Sequence, residues 1–265
     1  MTKRYVALGS SMAAGPGIPP RARDAPLRAG RSAANYPHLV AERLGLDLVD
    51  VTYSGATTAN VLTDRQHGSP PQASVLDGSE VLVTVTIGGN DVGYVPLLTA
   101  AGLPAVLRSA PLLGDRLREL LDPTARDRAL VAVEESLTRV GRIVRQKAPR
   151  ARVFFVDYLT VLPPAGQPAA PVSDVDAALG RRVAATLERL TAEAASATGC
   201  ELVSAADASR DHHAWSAHPW TVKPSRFGVP LPGRPVPVHP NAAGMRTVAD
   251  LVIRQGESPR SARRS

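Results

Sequence analysis

Cysteine is nearly missing from this chain: Cys200 is the only one in 265 residues. No disulfide can form within the chain, which fits a reducing compartment, and a cytoplasmic location is the expectation. No run of 18 or more apolar residues occurs either, so neither a hydrophobic spanning helix nor stable membrane insertion is expected. A strand-like run already begins at Arg4, so the charged and apolar regions of a signal peptide are not expected ahead of it. Aromatic residues make up only 4% of the chain, and no stacking motif of the kind that binds single-stranded nucleic acid is present. There is no internal repeat.

The formal net charge is +7, and its placement matters more than its size. Residues 254–265 carry a net +3 and residues 21–31 another +3, which leaves about +1 for the rest of the chain. The surplus belongs to one loop and one tail, a solvated pattern rather than a nucleic-acid-binding face.

With 44% hydrophobic residues, the chain can bury one substantial core, and its length requires no second domain. Residues 1–255 form the expected single domain, and residues 256–265 a disordered basic tail. Short apolar runs at Arg4–Leu8, Asp47–Thr52, Val81–Ile87, Arg152–Val156 and Glu201–Val203 have the continuous character of strands covered on both faces. Between them lie amphipathic stretches. Tyr36–Leu44 follows Asn35 as a cap and ends at Gly45. Arg126–Lys147 places Leu130, Val133, Leu137, Val140 and Val144 at helical spacing. A third helix starts after Ser173, with Asp176 three residues on and Val175, Leu179, Val183, Leu187 and Leu190 as its buried stripe. A last helix is expected over Ala242–Ile253.

This alternation predicts an α/β fold with an open, mostly parallel sheet and helices on both faces. Residues 93–125 fall outside the rhythm and are expected to form short helices over the sheet's edge. Residues 205–240 hold enough proline to exclude a regular helix or a central strand, and an ordered loop of that length usually serves function.

Sites in such folds collect beyond the carboxyl ends of the strands. Ser10 and Ser11 follow the first strand; Ser54-Gly55-Ala56-Thr57-Thr58 the second; Gly88-Gly89-Asn90-Asp91 the third; and Val238-His239-Pro240-Asn241 precedes the final helix. Together they supply a hydroxyl, freed backbone N–H groups, an amide side chain and an imidazole, the parts that acyl transfer requires. Rival motifs fail on spacing. Gly88-Gly89 lacks the dinucleotide fingerprint, and Gly9-Ser10-Ser11-Met12-Ala13 is not the Gly-x-Ser-x-Gly elbow.

Four stretches carry a resemblance to a known family: ALGSSMAAG, YSGATTANVL, TIGGNDVGY and VHPNAAGMRTVADLV. Their order and content resemble the SGNH hydrolases, or GDSL-type esterases and lipases, over nearly the whole chain. The resemblance implies a flavodoxin-like three-layer α/β/α sandwich with a five-stranded sheet. It implies Ser11 as nucleophile, an oxyanion hole from the N–H groups of Ser11 and Gly55 and the amide of Asn90, and His239 as general base. No metal or organic cofactor is implied.

Two positions depart from the family. The aspartate that precedes the nucleophile is Ser10 here, which leaves Ser10 as a second candidate nucleophile; its hydroxyl is expected to bond a nearby backbone group. Three residues before the histidine, where an aspartate commonly orients the ring, stands Val236. A valine side chain cannot accept the ring N–H, so a backbone carbonyl of the Pro235–Pro237 segment is expected to do so, with that of Val236 favoured over Asp211, His212 or His213.

The loop SRDHHAWSAHPW, Ser209 to Trp220, carries three of the six histidines and both tryptophans. Trp215 and Trp220 are candidate anchors and one wall of an acyl pocket. His212, His213, His218 and Asp211 match metal-ligand types but no ligand spacing. His38 and His67 fit solvated or packed roles, and Asp91 a structural one beside Asn90. The resulting expectation is a serine esterase acting on small or lipid-like esters through an acyl-serine. An acyltransferase with the same intermediate and a catalytically inactive binding module are the alternatives.

Overall fold

In the computed structural model, residues 3–108, 114–225 and 234–258 are described. The elements follow in order: β1 (Arg4–Gly9), α1 (Ser11–Ala14), α2 (Tyr36–Leu44), β2 (Asp47–Asp50), α3 (Thr58–Leu62), β3 (Glu80–Thr86), α4 (Tyr94–Gly102), α5 (Ala105–Arg108), α6 (Gly114–Leu121), α7 (Pro123–Lys147), β4 (Arg152–Val156), α8 (Asp174–Ala197), β5 (Glu201–Val203), α9 (Ala205–Ala208) and α10 (Ala242–Glu257). The strands form one parallel sheet in the order β2-β1-β3-β4-β5.

Strand alternation sorts the side chains into two cores. Tyr5, Ala7, Leu82, Phe154, Val156 and Val203 pack with α2 and α10 on one face. Val6, Leu8, Val83, Val85, Val153 and Phe155 pack with α4, α7 and α8 on the other. The result is a three-layer α/β/α sandwich. In this strand order the chain reverses direction across the sheet between β1 and β3, and that switch point opens a crevice at their carboxyl ends.

Local signals set most boundaries. Asn35 accepts the N–H of His38 at the start of α2, and Gly45 closes that helix in the left-handed conformation. Ser173 accepts the N–H of Asp176 and opens α8. Some expectations shift. Asp122 caps α7, which therefore begins at Pro123 rather than Arg126. The second strand stops at Asp50: Val51 and Tyr53 still donate to the Ala7 and Gly9 carbonyls of β1, but the Gly9 N–H goes to the Gln72 side chain, and the Asp50 carboxylate takes the N–H and hydroxyl of Thr52. Val175 is 79% exposed rather than part of the buried stripe, since the buried face of the first turn of α8 is carried by Asp176 and Ala177 and Val175 lies off that face. Helix α10 runs on through residues 256 and 257, which the sequence placed in a tail. The remaining tail, 259–265, lies outside the described residues, as do parts of the insertion (109–113) and of the proline-rich loop (226–233). In the insertion, α4 packs onto α8, where Gly180 allows Leu98 and Leu162 to close in.

Candidate active site

Backbone hydrogen bonds gather the first three sequence blocks at the β1/β3 switch point, and the Ser11–His239 side-chain contact brings in the fourth. Gly9 ends β1 at φ +149°, and a Cβ there would collide with the Thr86 carbonyl of β3, so glycine is required. The Gly9 carbonyl accepts the N–H of Tyr53 from the second block, and the Thr86 carbonyl accepts the N–H of Ser10. The Gln72 side chain clasps the same Gly9 peptide units, its Oε1 accepting Gly9 N–H at 2.7 Å and its Nε2 donating to the Gly9 carbonyl at 3.0 Å. From this held corner, Ser11 enters the single turn of α1.

The Ser11 hydroxyl lies 2.8 Å from Nε2 of His239. On the far side of the ring, Nδ1 lies 2.8 Å from the Pro237 carbonyl oxygen. A carbonyl only accepts, so Nδ1 carries the ring proton, Nε2 is bare, and the Ser11 hydroxyl donates to it. Both side chains are buried, Ser11 at 5% and His239 at 6% exposure. Burial holds the pKa of His239 below its ordinary value, and the bond to Pro237 partly opposes this.

The expectation that the Val236 carbonyl orients the ring is corrected here. That carbonyl accepts the backbone N–H of His239 at 3.2 Å, closing a tight turn. Within it Val238, fully buried, takes φ +66°, a strained angle for a β-branched residue. The turn leaves the Pro237 carbonyl, one residue nearer, facing Nδ1. Asp211, His212 and His213 do not serve the ring. His212 stacks on Trp220 with centroids 3.8 Å apart, and its Nδ1 bonds the His218 carbonyl. His213 Nδ1 takes the N–H of Trp215. Among the described residues, no group of three or more His, Cys, Asp or Glu is arranged to hold a metal ion.

Gly55 sits at φ +81° in the turn closed by Ala56 N–H to the Tyr53 carbonyl. Asn90 donates one amide N–H to the Ala56 carbonyl at 2.8 Å, which sets its side chain beside Gly55. Asp91 accepts both the N–H and the hydroxyl of Thr58, joining the second and third blocks. Ser10 points elsewhere. Its hydroxyl lies 3.2 Å from that of Tyr158, and among the described residues no backbone group takes it.

Across residues 7–247 the sequence matches the profile of the GDSL-like Lipase/Acylhydrolase family. The chain belongs to this family. It is 36% identical over 259 residues to Lipase 2 of Streptomyces coelicolor, covering 94% of this chain and 84% of that one. Phospholipase A1 of Streptomyces albidoflavus and the extracellular lipase of Streptomyces rimosus superpose with a TM-score of 0.77 each. Each is 24% identical, over 97% of this chain and all of that one, and shows the same fold. As a GDSL-like lipase/acylhydrolase, the chain is a hydrolase of the lipase and esterase kind.

In this GDSL-like hydrolase the long loop anchors the histidine block. Val222 N–H bonds the His239 carbonyl, Val238 N–H the Val222 carbonyl, and Asn241 N–H the Trp220 carbonyl. Trp215 donates its ring N–H to the Ala170 carbonyl. Both tryptophans thus pack as anchors. A cavity of about 300 Å³ beyond β4 is lined by Tyr94, Tyr158, Leu159, Leu162, Ala185 and Leu187 among others, and by neither tryptophan. Sequence reasoning missed Gln72 and Tyr158, and within the Pro235–Pro237 segment it favoured the Val236 carbonyl over that of Pro237. Tyr158 was within reach of the strand-end rule, because it stands two residues past the carboxyl end of β4.

Proposed function

We propose that this hydrolase cleaves carboxylic esters through an acyl-Ser11 intermediate, with His239 as base and then acid. The observation that carries this reading is the relay from the Ser11 hydroxyl through His239 to the Pro237 carbonyl, 2.8 Å on each side of the ring. As Ser11 Oγ attacks the ester carbonyl carbon, its proton passes to Nε2, while Nδ1–H stays on Pro237. The imidazolium then returns the Nε2 proton to the departing alkoxide, leaving the acyl group on Ser11. Water repeats the sequence and releases the acid. The developing oxyanion is received by the N–H groups of Ser11 and Gly55 and by the amide N–H of Asn90 that Ala56 does not occupy.

The descriptions of the relatives as lipases and a phospholipase support an ester with an apolar acyl group. A fluorophosphonate probe tests the core of the reading: it should label the wild type and Ser10→Ala but not Ser11→Ala. Equal labelling of Ser11→Ala sinks it. Turnover of p-nitrophenyl esters of graded chain length defines the acyl preference. Added alcohols separate hydrolysis from acyl transfer, since a transferase would convert them to new esters. For the compartment, the single cysteine supports a cytoplasmic reading, and recovery of the protein from culture medium after fractionation would overturn it.

A further inference from the structure

Two adjacent serines are buried at the end of β1, and only Ser11 reaches the imidazole. Ser10 instead meets the Tyr158 hydroxyl at 3.2 Å. The same hydroxyl accepts the backbone N–H of Gly89 at 2.9 Å. The aromatic ring lies so close over Gly89 that a Cβ at this position would overlap it. Gly89 is held from its carbonyl as well, by the N–H of Tyr94 at 2.8 Å. The next residue is Asn90.

Tyr158 therefore touches Gly89 with both ring and hydroxyl, and the residue that follows Gly89 carries the side-chain amide assigned to the oxyanion. Burial pushes the phenol up to about 12, so it is neutral at ordinary pH and acts as a fixed dipole rather than as an acid or base.

We propose that Tyr158 is a positioning residue for the reaction at Ser11: its ring and hydroxyl fix Gly89 through the N–H of the Gly88–Gly89 peptide, so that the amide of Asn90, the next residue, is set for the oxyanion, and it engages the Ser10 hydroxyl away from His239. The inference rests on the acyl-serine reading. Oxyanion contacts strengthen only in the transition state, so an amide that loses its setting slows turnover without weakening substrate binding. This separates the role from a merely structural one, which would lower the amount of folded enzyme and leave the kinetics of the folded fraction alone.

The experiment compares wild type, Tyr158→Phe, Ser10→Ala and Ser11→Ala on a p-nitrophenyl ester. Inhibition by a trifluoromethyl ketone, whose serine adduct is tetrahedral and anionic, is measured in parallel. Removing one oxyanion donor costs about 100- to 1000-fold, and displacing one should cost less, so Tyr158→Phe is expected to lose about 10- to 100-fold in kcat. Its KM should hold within about twofold, because ground-state binding is untouched. Affinity for the trifluoromethyl ketone should fall by the same factor as kcat. Ser10→Ala keeps the Gly89 bond and should stay close to wild type.

Wild-type kcat and inhibitor affinity in Tyr158→Phe would overturn the proposal, as would a rise in KM at constant kcat. Should Tyr158→Phe fail to fold, fluorinated tyrosines at position 158 keep ring and hydroxyl while weakening the oxygen as acceptor. Their kcat should fall with the number of fluorines, and a flat series overturns the proposal. If Ser11→Ala abolishes turnover while Tyr158→Phe matches wild type, this proposal fails alone; if Ser11→Ala stays active, the acyl-serine reading fails and takes the proposal with it.

Discussion

His239 can accept a proton only when its ring is neutral, and burial favours that form. Its pKa lies below the ordinary histidine value of about 6.5, so the acid limb of kcat/KM should fall below that pH and the profile should be flat from pH 7 to 8. A pH–rate profile of the free enzyme checks this, and a limb above the ordinary value contradicts it. Because the Pro237 carbonyl holds Nδ1, Asp211→Asn should leave kcat within about twofold, whereas removing a true triad aspartate costs about four orders of magnitude. At this scale Ser11, Asn90 and His239 were legible because each stands in a short block with glycine or proline within two residues. Gln72 was not, because its neighbours in the chain say nothing of the glycine it holds, and Tyr158 had only its place after β4 to mark it.

Strand β1 and its turn depend on a side chain 63 residues away. Gln72→Ala would leave the N–H of Gly9 without its partner, and an unpaired buried donor costs about 1–3 kcal/mol. Urea unfolding should show a loss of that size, with kcat falling because Ser11 stands two residues further on. At the other end of the relay, Asn241 accepts the N–H of Gly244 to cap α10 and donates to the Pro219 carbonyl. Asn241→Ala should destabilise by about 1 kcal/mol for the cap. The same variant should lose activity, since the cap lies two residues from His239 and ties its turn to the loop. Kinetics together with thermal melts check both effects.

Across the whole molecule, the buried groups Asp157 and His239 make stability respond to pH in opposite directions. Asp157, at the carboxyl end of β4, is pushed up to about 7, chiefly by burial. Its Oδ1 takes the N–H of Ala206, and among the described residues its Oδ2 has no hydrogen-bond partner. Glu188 raises it further, while the N–H groups of Ala206 and Ala205 and the Arg210 cation lower it. Unfolded, the group titrates near 3.9, so between about pH 4 and 7 the native state binds more protons and stability falls as pH rises. His239 works the other way: its native pKa is depressed, so the unfolded state binds more protons and stability falls as pH drops below about 6.5. Asp157→Asn keeps an acceptor for Ala206 and removes the titration. It should be more stable than wild type at pH 8 and equal to it near pH 4, which urea unfolding across that range checks.

The sequence by itself determined the α/β class, the core-facing stripes of the long helices, the four motif blocks and the pairing of Ser11 with His239 as candidates. Periodicity, caps and short motifs are local properties, and local properties survive in a string of residues. Only the tertiary structure decided which serine faces the imidazole, which carbonyl orients it, and which side chains hold the turn that carries both. Those outcomes depend on contacts between residues 63, 148 and 228 positions apart and on the direction of one strained turn at Val238. Such contacts are set by how the layers pack around the β1/β3 switch point, which no single segment encodes.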